Sequence, residues 1–308
     1  RSTLFPYTTL FRSRSATEKS EICGTRIDYT QFIPRGHYTY NNRLRNYFKS
    51  MMWHQLAEFD LSSDCGLTQA LLISFALNGA APSESKQLWE SIYEITNLFV
   101  GESDGLSPDN IYAAMNTTFG AKPTLQLIAD KKKMAPLRTQ LAKLYKEKSR
   151  IQAAQAASET ELKVSIMGQR YIPDAEITQR LTKYRHRDFP RGLDVPAAFG
   201  SRKAKSILLN TYKEAEKWPD YEKYLAQLTK EFAVIHESKW TSNLYYSWLY
   251  CLKSIIERDP NGRYPFFMRN TAWDTKCLNT FTASWAELRH NTVLYALQSG
   301  AEGGDGDE

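Results

Sequence analysis

From Asn41 onward, apolar residues recur every three or four positions along most of the chain, the spacing of helices that turn one face to a core. Leu44, Phe48, Met51 or Met52, Leu56 and Phe59 form the first such stripe. Residues 66 to 78 form a second, more continuously apolar segment that stops at Asn78-Gly79. Pro82-Ser83 opens a third, with Leu88, Ile92, Ile95 and Phe99 on its apolar face and Gly101 as its stop. Ser107-Pro108 combines a capping hydroxyl with a proline at the first turn and predicts a helix to about Thr118. Further helices are expected over 174–184, 196–210 and 220–235, and from Ser242 or Asn243 to the breaker cluster Asp259-Pro260-Asn261-Gly262. Trp273, Cys277, Phe281, Trp285, Leu288, Thr292 and Tyr295 mark a long C-terminal helical region. Only KVSIMG, residues 163–168, reads as a strand. The expected class is mainly α: a single large multi-helical domain over 21–299, with at most one or two short strands.

Composition fits that picture. The 308 residues are 42% hydrophobic and 24% charged, with a net charge of +6, the balance of a globular chain able to bury a core without staples. The longest apolar run, Ala70 to Leu77, covers eight residues and includes Ser74, far short of the ~20 needed to span a bilayer. Four cysteines, Cys23, Cys65, Cys251 and Cys277, show no paired metal or redox spacing. The charge is local. Nine basic residues against two acidic ones lie between Lys122 and Arg150, and the remainder is nearly neutral. Leu137, Leu141, Leu144 and Tyr145 give that stretch an ordinary amphipathic face without interleaved aromatics for base stacking. It reads as a solvated helix face, and no nucleic-acid partner is expected.

The ends differ from the body. Thr3 to Ser13, TLFPYTTLFRS, resembles the translation of a short-read sequencing adapter, so residues 1–20 are set aside as a non-native, unpacked leader. Residues 300–308 form an acidic, Gly-rich tail, and the chain is expected to stop inside a longer protein. Residues 151–160, IQAAQAASET, are low in complexity and suit a loop or helix end.

Six blocks in one order carry a resemblance: YTQFIPRGHYT (29–39), MMW (51–53), MGQRYIPDAEI (167–177), PRGLDVPAAFGS (190–201), SNLYYSWLY (242–250) and the stretch from Pro265 to Ser299. Together they resemble a bacterial and archaeal family known as domain of unknown function 3160. The resemblance implies no particular reaction or cofactor. It implies a protein often exported or lipoprotein-like, hence extracytoplasmic, that continues past Ser299. An aliphatic residue is expected after MMW, where this chain has His54, and an acidic one after the histidine of ELRH, where it has Asn291.

The chemistry-bearing positions are few. Glu287 and His290, three apart in WAELRH, share a helix face and are the candidate acid/base pair. A di-metal bundle needs a second Glu-x-x-His, which is absent, and His236-Glu237 is followed by Trp240 where a zinc hydrolase has its second histidine. No metal or cofactor is expected. Arg35 and His37 precede a helix start and could hold an anion, or belong to a segment wrapped across the body. Arg170, Asp174, Arg191 and Asp194 lie in loops or at helix starts, as ligand contacts or as buried ion pairs. With Trp285, three of these, Arg170, Asp174 and Asp194, complete the candidate ligand set. Trp240, Tyr245, Tyr246, Trp248 and Tyr250 could line a sugar or peptide cleft, although core is their commoner role. The expected function is a binding or scaffold protein for a small-molecule, glycan or peptide ligand, with an extracytoplasmic hydrolase using Glu287 and His290 as the alternative.

Overall fold

The computed structural model describes residues 17–79, 83–120, 122–151, 162–182, 187, 189–257 and 262–297. The adapter-like segment, the low-complexity stretch from 152, the breaker residues 258–261 and the acidic tail lie outside them. The class is mainly α. The chain gathers into two compact units that interleave along the sequence: unit 1 comprises 1–95, 103–150 and 157–169, and unit 2 comprises 96–102, 151–156 and 170–308.

In unit 1, Thr17–Lys19 (β1) pairs antiparallel with Arg26–Asp28 (β2), and two short helical turns, Tyr29–Phe32 and Gly36–Thr39, lead to Asn42–Leu56 (α1). The Asn41 side chain accepts the Leu44 N–H at 2.9 Å and fixes the start of α1. Phe48, Met51 and Met52 are buried beneath Tyr29, Phe32 and Tyr38, so the YTQFIPRGHYT segment is wrapped onto α1 by its aromatics. Phe59–Asp60 (β3) follows and pairs with Lys163–Val164 (β4), the strand expected from KVSIMG. Strands of two or three residues leave no alternating pattern to read in a sequence. Asp64–Asn78 (α2) passes so close to β3 that a Cβ on Gly66 would lie 2.3 Å from the Asp60 carbonyl oxygen. Glu84–Val100 (α3), Pro108–Phe119 (α4), Leu125–Ile128 (α5) and Lys131–Lys148 (α6) complete the early helices. Ser107 and Asn110 form a reciprocal capping box on α4. The unit's centre is α2 against α4 and α4 against α6, around Leu67, Leu71, Ile111, Met115, Leu137 and Leu141.

The apolar stripe Leu88, Ile92, Ile95 and Phe99 is not the buried one. Leu88 is 60% and Ile95 57% exposed, whereas Trp89, Thr96 and Val100, one position on, are buried. Trp89 donates its indole N–H to the Ile166 carbonyl at 2.9 Å and stacks on Tyr93. Shifting by one residue turns a helix by roughly 100°, and α3 carries apolar residues through both sectors. Periodicity alone could not choose between them.

Unit 2 holds Pro173–Thr182 (α7), Asp194–Ala198 (α8), Arg202–Ser206 (α9), Glu214–Lys217 (α10), Tyr221–Ala233 (α11), Glu237–Trp240 (α12), Leu244–Ile256 (α13) and Thr271–Asn291 (α14). After α9 the backbone widens into a π turn over Ile207–Thr211, and Lys213 takes a left-handed conformation with φ 53°. The expected helix over 196–210 is broken into pieces, at Gly200 with φ 99° between α8 and α9 and again where α9 gives way to the π turn. The core runs from Ile172 and Ile177 through Phe199, Tyr221, Leu249 and Phe281, with Val100 and Ile151 joining from the earlier segments. Trp240, Tyr245 and Tyr246 are buried within it, which places most of the WTSNLYYSWLY aromatics in the core.

Candidate functional site

In unit 2 the candidate residues sort into two buried clusters. The first centres on Asp174, in the first turn of α7, where the aligned backbone dipoles favour a negative charge. The side chain is fully buried. The Tyr245 hydroxyl from α13 lies 2.8 Å from Oδ1 and 3.0 Å from Oδ2, while Trp285 Nε1 and an Arg289 guanidinium nitrogen from α14 approach Oδ2 at 3.0 and 3.1 Å. Three side chains thus close on one carboxylate. It ties α7, α13 and α14 together, and it has no open side for a reacting proton.

The second cluster centres on Asp194, at the start of α8 and also fully buried. Arg187 pairs with it at 2.9 Å, the Tyr221 hydroxyl donates at 2.6 Å and the Arg191 backbone N–H at 2.8 Å. Arg187 also meets Glu214 at 2.8 Å, and Glu214 takes Arg191 at 2.6 Å and Lys217 at 3.2 Å. Burial raises the Asp194 carboxyl against the opposing pull of Arg187 and Tyr221. Burial beside Asp194 pushes the Tyr221 phenol far above its ordinary range. Burial alone would raise Glu214 too, but the hydrogen bond from Arg191 and the charge of Arg187 bring it below the usual value. Such a network orders a fold and holds its charges in place.

The remaining sequence candidates have other surroundings. Glu287 and His290 are both exposed on α14; Glu287 accepts from the Asn291 amide at 3.0 Å, and the residues of WAELRH that turn inward are Trp285, Leu288 and Arg289. Arg170 is buried, donates to the Thr96 hydroxyl at 2.5 Å and bonds through its backbone to Tyr295 and Leu297. In unit 1, Arg35 lies 5.4 Å over the Phe48 ring, where burial draws its pKa below the ordinary value, and the His37 ring packs on Tyr38 at 4.0 Å. Glu58 approaches Lys163 at 3.9 Å, whereas the His54 Nδ1 is buried without a hydrogen-bond partner among the described residues, so the four-residue spacing of His54 and Glu58 does not make them a surface pair. Arg289 was legible as the residue four after Trp285 on one helix face. Arg187, Glu214 and Tyr221 carried no local signal, because their association is made by folding.

A concave site lies in unit 1. A groove of about 370 Å³ runs between α2 and the α5–α6 turn. Leu67 and Ile128 form its buried floor, Leu72 and Leu125 its half-exposed rims, and Met134 one end. Lys131 and Arg138 supply charge at its edge, with Arg138 held by Asp64 at 2.7 Å and by the Leu61 carbonyl at 2.9 Å. The volume is in the range of ligand-binding clefts. Among the described residues no three His, Cys, Asp or Glu side chains are grouped to hold a metal, and no helix is long and apolar enough to cross a membrane.

No curated protein and no solved structure matches this chain. The family model described as protein of unknown function (DUF3160) matches residues 9–308. With nearly its whole length covered, the chain belongs to the DUF3160 family.

Proposed function

We propose that this chain is a ligand-binding or scaffold protein that acts outside the cytoplasm, and that the groove between α2 and the α5–α6 turn is its docking site. The groove carries this reading: an apolar floor with exposed apolar rims stabilises an occupant by taking both surfaces out of water. The acid/base alternative is less well supported, since Glu287 and His290 stand on an exposed face and Asp174 is closed by its own donors. The location rests on the export habit that the family resemblance implies.

Titration with N-phenyl-1-naphthylamine, a neutral apolar dye, tests the groove. Saturable fluorescence enhancement is expected from the intact chain and is expected to vanish in Leu125→Asp, whose exposed position leaves the circular dichroism spectrum unchanged. Because α3 also exposes apolar residues, enhancement that persists in Leu125→Asp and disappears in Leu88→Glu would remove the groove from the proposal. Fractionation of cells expressing the complete gene tests the location; a cytosolic product would refute it.

A further inference from the structure

We infer that the groove takes an acidic, amphipathic peptide segment of a partner protein, an inference that rests on the binding reading above. Its shape favours a segment over an enclosed small molecule. Small-ligand sites bury most of their ligand's surface, but here Leu72 is 43% and Leu125 57% exposed along the two rims, with the buried Leu67 and Ile128 between them. A trough of this kind contacts one face of its occupant and leaves the other in water. That matches a helix presenting apolar residues at three- and four-residue intervals.

Charge selects the sign of the occupant. Helix α6 opens with Lys131, Lys132 and Lys133 and has no acidic residue in its first turn, although aligned peptide dipoles already make a helix start positive and favour acids there. Asp130 caps the helix by accepting the Lys132 N–H at 3.0 Å, and among the described residues none forms an ion pair with any of the three lysines. Arg138 is already neutralised by Asp64. Of the three lysines, Lys131 lines the groove and brings unpaired positive charge to it. Carboxylates flanking an apolar stripe would meet it, and a basic segment would be repelled.

Fluorescence anisotropy with a labelled synthetic helix of about four turns tests this, its leucines spaced as in helix-in-groove ligands and its flanks glutamate. A second peptide carries lysine in place of each glutamate. The acidic peptide is expected to bind and to displace N-phenyl-1-naphthylamine, to bind about tenfold more weakly to Lys131→Glu, and to lose affinity as salt is raised. Lys131→Glu is expected to keep the circular dichroism spectrum of the parent, since Lys131 is exposed at a helix start. If Leu125→Asp fails to abolish dye binding, the groove reading itself falls. If it does abolish it, but the acidic peptide does not displace the dye, or the lysine peptide displaces it equally well, the groove stands and the acidic-segment inference is overturned.

Discussion

At the level of single residues, burial separates those that hold the fold from those that are free to vary. Asp174→Asn keeps an acceptor but turns an amide N–H₂ toward Tyr245, Trp285 and Arg289, and leaves the arginine without its counter-charge. Breaking a buried pair in this way costs about 3 kcal/mol or more, whereas Glu287→Gln on the exposed face stays within ~0.5 kcal/mol. Urea unfolding of the two variants distinguishes these roles; equal midpoints would contradict the structural assignment of Asp174. His54 offers the opposite case. Burial holds its pKa below the ordinary value, and its Nδ1 finds no partner among the described residues. The unfolded chain takes up a proton near pH 6.5 that the folded chain refuses, so stability falls as pH drops through that value. His54→Leu, restoring the aliphatic residue implied by the family resemblance, is expected to raise stability by about 1 kcal/mol and to flatten its decline between pH 7 and 5, as read from melting temperatures across that range. The substitution's position was visible in the sequence; the orphaned nitrogen was not, because it depends on what folding brings around the ring.

Among the elements, helix starts were the most legible feature. Asn41, Ser107, Asn243 and Asn270 each cap a helix through the side chain, and a local bond leaves a local signature. Helix facing was less legible. In α3 two adjacent sectors are apolar, and the choice between them was made by the Ile166 carbonyl that receives the Trp89 N–H, a partner 77 positions away in sequence. The expected consequence is a sharp contrast between neighbours. Trp89→Ala should cost about 3–5 kcal/mol, while Leu88→Ala should lie within ~0.5 kcal/mol of the parent. Denaturation of the two proteins in parallel checks this, and a large loss for Leu88→Ala would mean that its face is covered in solution. The stretch between α9 and α10 shows a different kind of illegibility. A π turn and a left-handed lysine arise from packing around 207–213, and no residue type announces them.

For the whole molecule, the α class follows from the three- and four-residue periodicity of the longer helices, but the division into two units shows in composition only at the low-complexity stretch that begins at residue 151. Its other boundaries include one inside α3 and one immediately before Arg170, where the sequence carries no linker composition. Each unit is consequently discontinuous. A fragment spanning 170–297 would lack Val100 from the core, the Thr96 hydroxyl that receives Arg170, and the Glu102 carbonyl that receives the Tyr171 N–H. It is expected to show reduced helicity and a broad melt by circular dichroism; a cooperative melt matching the intact chain would show that the early segments are dispensable. The parallel bridge that joins Arg170 to Ala296 gives this arrangement a direction in time. All of unit 1 has been synthesised once residue 169 leaves the ribosome, so it can condense while translation continues at roughly 5–20 residues per second. Unit 2 owns residues made before that point, yet the backbone bonds around Arg170 await Tyr295 and Leu297. During the intervening synthesis Val100 and Ile151 are exposed apolar groups on a nascent chain. That interval, set by the order of the gene, is when a chaperone would find its substrate.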